Sequence, residues 1–145
     1  MIQIDFPSPD FKIEKREGKK FIFDSIRRQW MVLTDEEWVR QNFIQYLIRV
    51  QSYPMALIAV EKEIQLGELK KRFDVLVYNK QHKPWMLIEC KAQDVKLDDT
   101  VVQQLLRYHI TVPASFLIIT NGKYTYGWEN SGNGLKEIEQ MPLWN

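Results

Sequence analysis

Arg72-Phe73-Asp74-Val75-Leu76-Val77-Tyr78 and, one turn later, Trp85-Met86-Leu87-Ile88-Glu89-Cys90-Lys91 are the stretches whose reading decides how this chain folds. Both are rich in β-branched and aromatic residues, and the segment from Asn79 to Pro84 between them is turn-like. They read as two consecutive strands. Side chains alternate across a strand, so Leu87, Glu89 and Lys91 share one face while Met86, Ile88 and Cys90 share the other. A carboxylate and an ammonium on a buried strand are costly unless they are paired or bind something. A hairpin that sets Asp74 near Glu89 gathers two carboxylates and one lysine at a single spot. That is a donor set for a divalent metal with a cation beside it. Taken locally, the same trio also reads as a structural ion pair on a partly exposed sheet.

Working outward, Phe11 to Lys15 alternates, Glu17-Gly18-Lys19 turns, and Lys20 to Phe23 answers, which predicts an N-terminal β-hairpin. Basic and apolar residues continue through Arg27, Arg28 and Trp30 to Leu33. The first helix starts at Thr34 as N-cap, with Glu37 at the third helical position, and Val39, Phe43, Tyr46, Leu47 and Val50 as its apolar stripe. Met55 to Ile64 reads as the first core strand. A second helix over Thr100–Ile110 has Thr100 and Gln103 placed for a capping box, and Pro113 stops it. Ser115 to Thr120 is a short apolar strand, Asn121-Gly122 a hairpin signal, and Tyr124 to Trp128 a strand that pairs back. The expected fold is α/β (α+β): an α-β-β-β-α-β mixed sheet flanked by helices, preceded by the hairpin. The chain divides as a single domain into a lead-in over residues 1–33, packed on a core over residues 34–145.

A chain of 145 residues with 45% hydrophobic and 27% charged content is an ordinary globular one, neither disordered nor fibrous. The net charge of +1 excludes a strongly basic coat, so nucleic-acid contact would come from local patches, of which Lys70-Lys71-Arg72 is the clearest. Cys90 is the only cysteine, which excludes an internal disulfide and a cysteine-cluster zinc site. No run approaches the roughly 18 consecutive apolar residues that span a membrane, and no signal-peptide pattern opens the chain. The expectation is a cytoplasmic domain without membrane attachment.

The element order, with Asp74 on the second core strand and Glu89-Cys90-Lys91 on the third, resembles the PD-(D/E)XK nuclease superfamily, with a restriction-endonuclease-like core. Phe73 stands where that motif carries its proline. Gln104-Leu105-Leu106-Arg107-Tyr108 is similar to the Gln-x-x-x-Tyr motif of RecB-like members. Glu36-Glu37-Trp38-Val39-Arg40-Gln41, Leu87 to Ala92 and Thr120-Asn121-Gly122 resemble the N-terminal nuclease domain of type I restriction enzyme R subunits. The helicase motor that follows this domain in a full R subunit is not among these residues.

The resemblance implies a Mg²⁺-dependent DNA endonuclease domain, with Mn²⁺ as a substitute ion, in a restriction system. It implies Asp74, Glu89 and the backbone carbonyl of Cys90 as metal ligands, Lys91 as the residue that orients the attacking water, and Gln104 as a catalytic helper braced by Tyr108. Glu37 is a candidate second-metal or water-mediated ligand, against a pure capping role. Arg72 shares the face of Asp74 and is a candidate phosphate contact, with Tyr108 beside it. Tyr108 also reads as a core residue, Glu61 and Glu63 as solvated strand positions, His82 and His109 as surface residues, and Cys90 as a small core residue. Implied partners are DNA, a separate helicase or restriction-system subunit, and a second copy of the chain. The competing function is a non-catalytic nucleic-acid-binding or assembly module that keeps the fold, or a subunit docking on a motor through Met141 to Trp144.

Overall fold

The computed structural model describes all 145 residues. Three strands open it, β1 (Ile13–Arg16), β2 (Lys19–Asp24) and β3 (Gln29–Val32), as an antiparallel sheet in that order. The hairpin legible in the sequence therefore gains a third strand. Helix α1 (Asp35–Arg49) follows, then a short 3₁₀ turn (Met55–Leu57), β4 (Ile58–Leu66), β5 (Leu69–Tyr78), β6 (Pro84–Cys90), α2 (Asp99–His109), β7 (Phe116–Thr120), β8 (Thr125–Asn130) and β9 (Leu135–Ile138). The last six strands form one mixed sheet in sequence order, in which only β6 and β7 run parallel. That single parallel step is the one whose crossover holds α2, as a parallel connection requires.

The sheet is buried on both faces. Val39, Phe43 and Leu47 of α1 pack with Val75, Val77, Met86, Ile88 and Cys90 on one side. Leu106 of α2 packs with Phe73, Leu76, Leu87, Leu117 and Ile119 on the other. The strict in-out alternation of β6 explains this division, with Cys90 joining Met86 and Ile88 as the sequence reading expects.

Three expectations change. The first core strand starts at Ile58, because Met55 to Leu57 turns first. The N-cap of α2 is Asp98, not Thr100: the Asp98 carboxylate accepts a hydrogen bond from the Val101 amide at 3.0 Å. Gln103 is consequently exposed and caps nothing. The C-terminus folds back onto the core, with Trp144 Nε1 donating to the Tyr78 carbonyl at 3.0 Å and the Tyr53 hydroxyl to the Pro142 carbonyl at 2.6 Å. Met141 and Trp144 are thus used internally, leaving Leu143 as the exposed apolar residue there. No helix is long and apolar enough to cross a membrane.

The relocated cap is testable. Asp98→Ala should cost about 1 kcal/mol of stability in urea melts, whereas Thr100→Ala, in the first turn, should cost only a few tenths. Equal losses would restore Thr100 as the cap.

Candidate active site

Asp74 and Glu89 meet where β5 and β6 part. The ladder between these strands ends at Val75–Ile88, so the next pair outward sets Asp74 level with Glu89. On its other side, β5 pairs with β4 through Val60–Val75 and Lys62–Phe73, and the pair between them, Glu61–Asp74, is skipped. Glu61 there has a φ of +51°, a left-handed conformation that costs a non-glycine residue of order 1 kcal/mol or more. The irregularity re-aims the strand. Simple alternation would put Asp74 with Leu76 on the α2 side, but Phe73 joins that cluster instead and Asp74 turns to α1.

What Asp74 finds on α1 is Arg40. The guanidinium Nη2 donates to Asp74 Oδ1 at 3.0 Å, while the Cys90 amide donates to Oδ2 at 2.7 Å. Arg40 also donates to Glu37 at 2.7 Å, and Glu61 lies 3.6 Å from it. Glu37 is in turn held by Arg27 at 2.9 Å and by Gln41 at 3.1 Å, and both Arg27 and Gln41 reach Asp24. The result is a nearly dry chain of charge, Asp24–Arg27–Glu37–Arg40–Asp74, that runs from the end of β2 through α1 to β5. Burial opposes the charge on Arg40, yet Glu37 and Asp74 hold its pKa above the ordinary value.

This places Glu37 differently from a capping box. Thr34 Oγ1 does accept from the Glu37 amide at 3.0 Å, but the Glu37 carboxylate faces inward, and the Thr34 amide bonds the Val32 carbonyl instead. Its carboxylate reaches the Asp74 end of the site through Arg40. Removing it leaves two buried guanidinium groups short of a partner, so Glu37→Ala should cost about 3–5 kcal/mol in denaturant melts, well beyond the ~1 kcal/mol of a lost cap.

Glu89 faces the opposite helix. Lys91 Nζ lies 3.4 Å from one carboxylate oxygen and His109 Nε2 3.5 Å from the other. His109 is buried, not a surface residue, and its Nδ1 lies 2.6 Å from the Leu105 carbonyl. With Nδ1 committed as donor, Nε2 has no hydrogen-bond partner and faces the Glu89 carboxylate. The α2 face turned to the sheet is Val102, Leu105, Leu106 and His109, which leaves Gln104 and Tyr108 exposed. Gln104 makes no hydrogen bond to either carboxylate, whose partners are Arg40, the Cys90 amide, Lys91 and His109. Tyr108 meets Arg72, accepting from its amide at 3.2 Å, and Lys71 Nζ lies 3.8 Å from the Tyr108 ring centroid. So the structure joins Asp74, Glu89, Lys91 and Cys90, pairs Arg72 with Tyr108 nearby, and adds Arg40, Glu61 and His109.

Electrostatics separates the two carboxyls. Burial first, then the charge of Glu89, raises Asp74 to about 6 against the pull of the Cys90 amide and Arg40. Burial would raise Glu89 too, but His109 and Lys91 bring it below its ordinary value. A carboxyl whose folded pKa is raised contributes stability below its unfolded pKa and loses it as pH rises through the folded one. Metal-free protein should therefore lose up to about 3 kcal/mol from Asp74 between pH 4 and 7, at ~1.4 kcal/mol per pKa unit. Asp74→Asn removes that slope. Urea melts at pH 5 and 7.5 should show the variant gaining on wild type as pH rises; parallel curves would contradict the assignment.

Two half-buried, mutually repelling carboxylates suit a hard divalent cation, which takes oxygen ligands and fills its remaining positions with water. No group of three or more histidine, cysteine, aspartate or glutamate side chains is placed to hold a metal ion. The chain belongs to the family described as the type I restriction enzyme R protein N terminus (HSDR_N), whose model matches residues 35–142. No curated protein matches the chain. Among solved structures it is similar to a DUF820 protein from Anabaena variabilis, solved as a candidate nuclease, at 12% identity and a TM-score of 0.49, over 88% of this chain and 76% of that one. The family assignment rests on the sequence match alone.

Proposed function

We propose that this domain hydrolyses phosphodiester bonds of DNA with Mg²⁺, Asp74 and Glu89 holding the ion and Lys91 serving the reaction. The observation that carries the proposal is the convergence of Asp74, Glu89 and Lys91 at the open end of β5 and β6, where burial and repulsion leave the acidic pair short of positive charge. The Cys90 carbonyl is a further candidate ligand by family likeness. When bound, Mg²⁺ would supply Lewis acidity and an activated water.

The chain's own groups do the rest. Lys91, held against Glu89, orients the attacking water and offsets charge that builds on the phosphate. His109 backs Glu89 from α2 and fixes where its second oxygen points. Lys71 and Arg72, beside Tyr108, offer cations to the phosphates that flank the cut. DNA and a separate motor subunit of a restriction system are the partners this reading implies.

One observation favours a second reading, a nucleic-acid-binding or assembly module without catalysis. Both oxygens of Asp74 already accept hydrogen bonds, from Arg40 and from the Cys90 amide. A carboxylate so occupied is neutralised from within.

Metal and cleavage separate the two. Calorimetry with Mn²⁺ or Mg²⁺ should give binding in wild type that Asp74→Ala and Glu89→Ala each abolish; it should weaken below pH 6, as protons compete for Asp74. Lys91→Ala should retain the ion and lose nicking of supercoiled and single-stranded DNA by at least about a hundredfold, the scale of a lost transition-state contact. Absence of metal binding in wild type would decide for the module.

A further inference from the structure

We propose that the outer face of the β1–β3 sheet is a stacking platform for single-stranded nucleic acid. That sheet lies before residue 35, outside the segment that matches the restriction-enzyme family, and the chemistry assigned above uses nothing of its outer face. Its inner face is ordinary core: Ile22 is fully buried and Asp24 joins the charge chain to α1. The outer face is aromatic. Phe21 pairs with Val32 and Phe23 with Trp30 across β2 and β3, and the Phe23 and Trp30 rings meet edge to face at 5.3 Å. All three rings are only half-buried and Val32 is exposed, although large apolar side chains at such positions gain nothing from water.

Cations frame these rings. Arg16 lies over Trp30 at 5.3 Å and over Phe21 at 5.8 Å, and Lys12 over Phe23 at 5.8 Å. From Phe11 to Val32 there are seven basic residues against three acidic ones, in a chain whose total is +1, so the remainder is net acidic. Asp24 and Arg27 pair with each other on the inner side, and Arg16 also holds Glu14 at 2.6 Å, so the unpaired basic residues are the four lysines and Arg28. Concentrated positive charge interleaved with half-exposed rings is what a single strand needs: phosphates meet the lysines and unstacked bases lie on the rings. A duplex hides its base faces and cannot use them.

Position supports the same occupant. The β2–β3 turn carries Arg27, the link that continues through Glu37 and Arg40 to Asp74, so the sheet that bears the platform is tied to the acidic pair through its inner side. The platform rests on the nuclease reading in naming a strand-holding surface for it, but its occupancy is read by binding and needs no cleavage.

The test is fluorescence anisotropy of labelled oligo(dT), oligo(rU) and a duplex of equal length, in EDTA, with the full chain. Phe21→Ala/Trp30→Ala should weaken both single strands about tenfold or more and leave the duplex unchanged, while Trp30→Phe retains most of the affinity. Lys12→Gln/Lys19→Gln, both exposed and on the ring side of the sheet, should lower the salt dependence by about 1.4 counterions, at roughly 0.7 per phosphate. Circular dichroism checks the fold of each variant, and the lysine variant carries the test should the aromatic one unfold. Because EDTA silences any metal-dependent cleavage, binding is read on its own, which separates this surface from the cleavage reading. No single-strand binding by wild type, unchanged affinity in both platform variants, or a self-association that these variants abolish would each overturn the proposal.

Discussion

Arg40 is the side chain on which the rest depends. One buried guanidinium serves Glu37 on its own helix and Asp74 on the neighbouring strand, and Glu61 closes on it from β4. Arg40, Glu37 and Asp74 gave up most of their water to be there, at several kilocalories per ion before any pairing, while Glu61 stays exposed. Taking Arg40 away would strand two buried acids, so helix, strand and N-terminal sheet are locked in one relative placement. The electrostatic chain is therefore also the mechanical link between the lead-in and the core.

The same link shapes the chemistry. Asp74 has an internal cation on one oxygen and a backbone amide on the other, yet burial and Glu89 still lift its pKa to about 6. The protein's own charges leave the pair undercompensated. A divalent ion would supply what is missing, in competition with Arg40 for one oxygen. Glu89 is arranged differently, with Lys91 and His109 favouring its charged form. Two carboxyls with unlike partners thus hold protons unequally, Asp74 more readily than Glu89.

Much of this was legible in the chain. Asp74, Glu89 and Lys91 stand out because each breaks an apolar run, and the alternation of β6 sorts Cys90 to the core side correctly. The element order follows from capping residues and turn signals, though β3 and β9 were hidden, being four-residue strands with mixed polar content and no clear period. The α2 cap was misplaced because Asp98 and Thr100 are both good caps, and packing of Leu105, Leu106 and His109 chose between them. His109 sat in that stripe, three and four residues from its apolar neighbours, a signal that was available. So was Arg40, three residues after Glu37 and on the same helical face as Phe43, Ile44 and Leu47. Charged residues on an inward stripe announce a buried network. The turn of Asp74 toward α1 had no such signal, since it depends on the left-handed kink at Glu61 in the next strand.

Anomalous scattering from crystals soaked in Mn²⁺ tests the central claim most directly. The account predicts one ion between Asp74 and Glu89, with Arg40 drawn off Asp74 and kept by Glu37. A saturating soak that leaves no anomalous peak there, with the Arg40–Asp74 pair intact, would contradict it and make the acidic pair a structural feature of a binding module.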